Sequence, residues 1–157
     1  MNDTLFSYQT AVPASWVDHN QHMNDAEYNR FFSDATDAFL AHLGLTHNTI
    51  EALSFTIFTL ENHTVYLQEV KEGAEITGEV LLHDFDAKRL HVFISLYDGN
   101  KNLCATYEVM LMGMDQETGK PGAFPEEIYQ SIEAYDSRQD IAEKPEQIGR
   151  TIGIRRK

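Results

Sequence analysis

Apolar residues recur along this chain with two different periods. Tyr28, Phe31, Phe32, Ala35, Phe39 and Leu43 return every three or four residues, the spacing that places side chains on one stripe of an α-helix. Gly44 follows as a C-terminal stop. The helix is predicted over residues 25–43 and spans about 28 Å at 1.5 Å per residue. A stripe so rich in Phe suits a helix lying across a sheet. Elsewhere the period is two. Phe6, Tyr8, Thr10 and Val12 form a short strand closed by Pro13. Four longer strands are predicted after the helix: Phe55 to Val70, Ala74 to Asp84, Arg89 to Tyr97, and Leu103 to Met114. The first of them loses its alternation near Glu61–His63, where a bulge or bend is expected. Glu72-Gly73 and Asp98-Gly99-Asn100 supply turns. Gly119, Pro121, Gly122 and Pro125 break the pattern. A short helix is predicted from Glu126 to Tyr135, and the polar remainder reads as a surface extension. One helix followed by strands at hairpin spacing predicts an α+β fold, with an antiparallel sheet of five to six strands wrapped on the long helix. A single domain is expected over 1–157, with its core at about 5–135 and a polar extension at 136–157.

Composition narrows the function. The chain has 157 residues and a formal net charge of −13. Nucleic acid is excluded as a partner, because phosphate contact needs clustered Lys and Arg. No apolar run is long enough to span a bilayer, and the N-terminus lacks a basic region followed by an apolar core. A cytoplasmic protein that binds no membrane is expected. Cys104 is the only cysteine, so no internal disulfide forms, and its alternating apolar run marks it as a buried, inert thiol. Arg150, Arg155, Arg156 and Lys157 crowd the C-terminus. They read as a solvated tail, or as counter-charge for a phosphate-bearing ligand.

Candidate chemistry concentrates in Trp16 to Tyr28, WVDHNQHMNDAEY. Asp18, Asn20, His22 and Glu27 fall where a strand ends and the long helix begins. Asn24 is placed to cap that helix, with Glu27 three residues on as a capping box wants. A solvated loop with a good N-cap explains the same residues, and the pattern alone does not choose. An EF-hand would need Gly and Glu where Met23 and Asn29 stand, and no zinc-like spacing follows His19 and His22. No metal is expected. A Gly-rich phosphate loop and a GxSxG elbow are both absent. What remains is a carboxylate beside an amide and an imidazole, a set that activates water or attacks an acyl group directly. Helix N-terminal N–H groups at Asn24 or Asp25 would hold the developing oxyanion. Glu69 is a second acidic candidate near a strand end. Glu61 and His63 sit at the expected bulge, Glu108 is read as facing solvent, and Lys88, Arg89 and His91 form one compact basic group.

These segments, with LENHTVYLQEVKEG and DFDAKRLHVF, resemble the hotdog-fold acyl-CoA thioesterases of the 4-hydroxybenzoyl-CoA thioesterase type, over about residues 5–135. The resemblance implies thioester hydrolysis without a cofactor, in a homodimer or dimer of dimers with active sites at the subunit interface. It places the catalytic carboxylate on Asp18. The DxNxH spacing resembles plant acyl-carrier-protein thioesterases, which implies roles for Asn20, His22 and Glu69. Gln21 stands where many bacterial relatives have Gly. The match extends to the betainyl-CoA thioesterases of carnitine degradation. A trimethylammonium acyl group favours aromatic faces and negative potential. Trp16, Tyr28 and Tyr66 are the aromatic candidates for an acyl pocket, and Lys88 and Arg89 are those for CoA. Other acyl-CoA or acyl-carrier-protein substrates, a hotdog hydratase and a non-catalytic acyl-CoA-binding protein are the alternatives. A hydratase would carry Pro after its Asn and one residue more before the His.

Overall fold

The computed structural model describes all 157 residues. Strand β1 (Phe6–Ala11) leads through a 3-10 turn (Ala14–Trp16) to helix α1 (Asp25–His42). Then come α2 (His47–Leu53), β2 (Phe55–Tyr66), β3 (Glu75–Phe85), β4 (Arg89–Tyr97), β5 (Leu103–Asp115), the two-residue β6 (Lys120–Pro121) and α3 (Glu126–Arg138). The strands form one antiparallel sheet in the order β1-β3-β4-β5-β2, with β6 on β5. This is the predicted α+β arrangement of a sheet wrapped on a long helix, the hotdog fold.

The predicted helical stripe is the buried face of α1. Phe31, Phe32, Ala35 and Phe39 are fully enclosed, and Gly44 ends the helix with φ of +106°, a value that suits a residue without Cβ. The stripe packs on inward residues of β3, β4 and β5, among them Ile76, Val80, Val92, Ile94 and Val109. Phe32 stacks on Tyr107 with ring centroids 4.9 Å apart. Cys104 is fully buried, and burial pushes its thiol up to about 11. It stays protonated and inert, as expected.

Four features differ from the sequence expectation. First, α2 was not expected. Seven residues with a single Thr46 cap carry too little periodicity to register, although the Thr46 hydroxyl accepts the Thr49 N–H. Second, β2 stops at Tyr66. The N–H groups of Leu67 and Gln68 both bond to the Cys104 carbonyl, which ends the ladder, so Glu69 and Val70 lie in a connecting segment. Third, the β2 bulge falls between Thr59 and Glu61, just before the expected place. Fourth, α3 continues to Arg138, and the chain beyond it folds back as a strap.

That strap covers the outer face of the sheet. Leu81 and Phe93 oppose each other there, and both are buried although neither belongs to the main core. The Gln139 amide bonds both the N–H and the C=O of Leu82, at 2.7 and 3.0 Å. The Asp140 N–H donates to the Thr4 hydroxyl at 3.0 Å, and the Asn2 amide donates to the Asp140 carbonyl at 2.7 Å. Ile141, Lys144 and Pro145 line a shallow hollow with Leu81, Leu82 and His83. Gly149 donates its N–H to the Glu108 carboxylate, at 2.9 and 3.1 Å to the two oxygens.

The opposite treatment is seen at β2. As the last strand of the sheet it exposes Phe58, Leu60 and Tyr66, each about half accessible. An apolar, unpaired sheet edge of this length is a template for another strand.

Candidate active site

Residues 17–23 form a tight loop between the 3-10 turn and α1. Val17 and Met23 pair across it as an antiparallel bridge, and the Asp18 N–H donates to the His22 carbonyl at 3.0 Å. The Asp18 carboxylate closes the loop from inside. Its Oδ1 accepts the N–H of Asn20 at 2.9 Å and that of His22 at 3.4 Å, the local bonding to which Asp is suited. Oδ2 has no protein donor. One oxygen is fixed by the loop and the other is left without a partner in the chain. Gln21 takes φ of +65° at the loop tip, a conformation costly for any residue with a Cβ and natural for Gly.

The loop is sewn to the segment after β2. The Met23 N–H donates to the Val70 carbonyl at 2.7 Å, and His22 and Lys71 form a bridge. This brings His22 Nε2 to 3.1 Å from Glu69 Oε2. Glu69 is largely exposed, with Lys71 and the Asp98–Asn102 hairpin along the same open groove. Asp18, His22 and Glu69 therefore lie together. Asn20 is exposed at the loop tip and makes no side-chain hydrogen bond within the chain.

The N-terminus of α1 opens beside this loop. Asn24 caps it, its side chain accepting the Ala26 N–H at 3.0 Å. Its own N–H is taken by the Trp16 carbonyl at 2.9 Å, so the expected reciprocal bond from Glu27 does not form. Glu27 instead faces Arg30 at 3.9 Å. The Ala26 and Glu27 N–H groups are also occupied. Of the two backbone donors named from the sequence, Asp25 N–H is the one left free, at the positive end of an 18-residue helix.

The three candidate aromatics divide. Tyr28 is buried, and burial pushes its hydroxyl up to about 12. Trp16 packs against the core with the Arg30 guanidinium 6.0 Å from its ring centre. Tyr66 is half exposed, meets Tyr28 edge-on at 5.1 Å, and donates its hydroxyl to the Asp25 carbonyl at 3.2 Å. Tyr66 is the most exposed of the three and stands at the start of α1.

Lys88 and Arg89 sit elsewhere in the chain. They lie at the β3–β4 turn, one β4 length from the Asp98–Asn102 end, or about 30 Å at 3.3 Å per residue. Arg89 Nε donates to Asp86 at 2.8 Å and its Nη2 bonds the same oxygen, holding that carboxyl down at about 2. The compact basic group of the sequence stays together in part: on the outer face of the sheet Arg89 shares a hollow with Asp84, Phe85, Asp86, Met110 and His91. There His91 Nε2 stands 2.6 Å from Glu108. Glu108 is half-buried as the anchor of the strap and does not face solvent. No local signal marks it, since its partners lie 17 and 41 residues away.

A long helix wrapped by a curled antiparallel sheet, with a carboxylate loop at the helix start, defines a hotdog-fold thioesterase. The chain belongs to the thioesterase-like superfamily, whose family model matches residues 12–132. It is 38% identical over 155 residues to a betainyl-CoA thioesterase of Pseudomonas aeruginosa, covering 98% of each chain. It shares 32% identity over 133 residues with an L-carnitine dehydrogenase/betainyl-CoA thioesterase of Agrobacterium fabrum. That match takes 85% of this chain and 27% of the longer protein. Among solved structures, a Staphylococcus aureus protein in complex with CoA superimposes with a TM-score of 0.94 at 41% identity, covering 99% of this chain and 98% of that one. The protein is a thioester hydrolase acting on acyl-CoA. No helix in it is long and apolar enough to cross a membrane.

Proposed function

We propose that this chain hydrolyses betainyl-CoA to betaine and CoA, with Asp18 as the catalytic carboxylate. The observation that carries the chemistry is the divided Asp18 carboxylate: Oδ1 is held by two loop N–H groups and Oδ2 has no hydrogen-bond donor in the chain. Oδ2 either takes a proton from the attacking water or attacks the thioester carbonyl itself. In both routes the carbonyl oxygen gains charge beside the free Asp25 N–H, the C–S bond breaks, and CoA leaves as thiolate and is then protonated; in the second route water then cleaves the Asp18 anhydride, releasing the acid and restoring the carboxylate. Asn20 positions the water or the carbonyl. His22, oriented by Glu69, moves the proton. The loss of a single oxyanion-hole donor costs roughly 3 kcal/mol.

The name of the Pseudomonas relative supports the acyl group, as does the setting of Tyr66. A half-exposed aromatic ring beside the Asp25 carbonyl suits a trimethylammonium, which offers no N–H and is stabilised by π-faces and negative potential. The test is thiol release from betainyl-CoA and from its neutral carbon isostere, 3,3-dimethylbutyryl-CoA. A higher kcat/KM for the cationic substrate is expected, and equal or reversed values would overturn the assignment.

The functional unit in this reading is a cytoplasmic homodimer, or a dimer of such dimers, paired along β2. Antiparallel pairing of two β2 edges would bury Phe58 and Leu60. It would also bring the partner's β3–β4 turn, with its Lys88 and Arg89, toward the Tyr66 end, where CoA enters. Light scattering at micromolar concentration that returned a monomer would refute this assembly.

A further inference from the structure

The C-terminal residues raise a problem of charge. CoA carries a diphosphate and a 3′-phosphate to a protein of net charge −13, so local cations must offset the repulsion. In the body of the protein Lys71 lines the groove beside Glu69, and the arginines are engaged. Arg89 is held by Asp86, Arg30 lies beside Glu27, and Arg138 lies over the Tyr135 ring, 2.8 Å from His42. Arg150, Arg155, Arg156 and Lys157, four of the twelve basic residues of the chain, fall within its last eight positions, and like the body's lysines they pair with no carboxylate.

Their position is set by the strap. Gln139 fastens its start to β3, and Glu108 on β5 grips the Gly149 N–H while also holding His91. The next residue, Arg150, lines a cavity of about 180 Å³ with Glu61, Asn62 and His63 of β2. This is the exposed edge strand whose far end, Tyr66, stands by the Asp18 loop. From His63 to Glu69 is about 20 Å of extended chain, and the seven residues beyond Arg150 reach up to about 23 Å. The strap thus ends in a cationic tail on the outer side of the sheet, where Arg155 lies beside Glu146 to Arg150, and its extended length is enough to reach the site.

We propose that residues 150–157 are a phosphate arm for CoA, and that Glu108 is a positioning residue that anchors it. The inference rests on the acyl-CoA hydrolase reading and adds the carrier-binding element. The arm meets the phosphates and leaves the acyl end untouched. Its contribution is therefore equal in ground and transition states and shows in KM rather than kcat.

The test compares two carriers of the same acyl group, CoA and pantetheine, the latter lacking all phosphates. Removing residues 151–157 should raise KM for the CoA thioester about tenfold, a scale fitting a few exposed phosphate contacts, with kcat within about twofold. KM for the pantetheine thioester should not move, and the difference should shrink at high salt. Glu108→Ala should raise KM for CoA in the same direction, and combining it with the truncation should add nothing further. The truncation alone decides the matter if Glu108→Ala folds poorly. An unchanged KM for CoA after truncation overturns the proposal, and so does an equal loss on both carriers. If the full-length protein cleaves neither thioester, the hydrolase reading itself fails, which is a different outcome.

Discussion

Two carboxylates in this molecule do the same job at different range. Asp18 accepts N–H groups from residues two and four positions on, and closes its own loop. Glu108 accepts the N–H of Gly149, 41 residues on, and closes a strap across the sheet. The difference lies in what each leaves over. Asp18 keeps one oxygen free at the surface beside a helix N-terminus. Glu108 has both oxygens on Gly149 and one of them on His91 as well, with little of its side chain exposed. A carboxylate that spends half its acceptors on the backbone is held in place and still has a reactive oxygen. One that spends all of them is a fastener.

The largest effect that bears on this contrast is Asp18→Asn. The Asn side-chain oxygen still accepts the Asn20 and His22 N–H groups, so the loop closes and the charge alone is lost. We expect kcat to fall at least about a hundredfold with little change in the melting temperature. A variant that keeps near-full kcat removes Asp18 from catalysis, and one that unfolds reduces it to a loop tie. Glu108→Ala should give the opposite signature in stability. It frees Gly149 and leaves His91 without its partner, and the expected loss is about 1–3 kcal/mol, read from denaturant unfolding. A loss below a few tenths of a kcal/mol would mean that the strap is held without it.

Gln21→Gly probes the same loop from its tip. The left-handed conformation strains Gln and suits Gly, so we expect a gain of about 0.5–1 kcal/mol, net of the added freedom of the unfolded chain, with kcat unchanged. A lower melting temperature would show that the Gln21 side chain supports the loop. The smallest effect concerns pH at the strap. His83 meets His91 edge-on at 4.7 Å, and burial lowers its pKa from 6.5, with further lowering from His91 and Lys144 against weaker raising by Asp84 and Glu108. The docked strap therefore favours neutral His83. As pH falls through 6.5 His83 on β3 binds the proton more readily once the strap has lifted off, and docking weakens. Exchange of the Gly149 amide, corrected for its intrinsic pH dependence, should speed up between pH 7.5 and about pH 5.5. An unchanged corrected rate would show that the strap does not sense His83.

The sequence by itself determined what rests on short range. The stripe from Tyr28 to Phe39, the Asn24 cap, the Gly44 stop and the Asp98–Asn102 turn follow from local sterics and from side chains within a few residues of each other. The grouping of Asp18 and His22 was legible for the same reason. The addition of Glu69 came from family resemblance, and its place beside His22 depends on the Met23–Val70 bond. Tertiary structure alone decided which carboxylate is a fastener. Glu108 sits in an alternating strand like any solvent-facing residue, and its burial depends on a strap that carries no helical or strand periodicity. It likewise decided that Arg89 is held by Asp86, that Tyr28 belongs to the core, and that Asp25 rather than Asn24 keeps its N–H free. Each of these outcomes turns on which partner reaches a polar group first, and between distant segments that is set by the path of the chain in space, on which local periodicity carries no information.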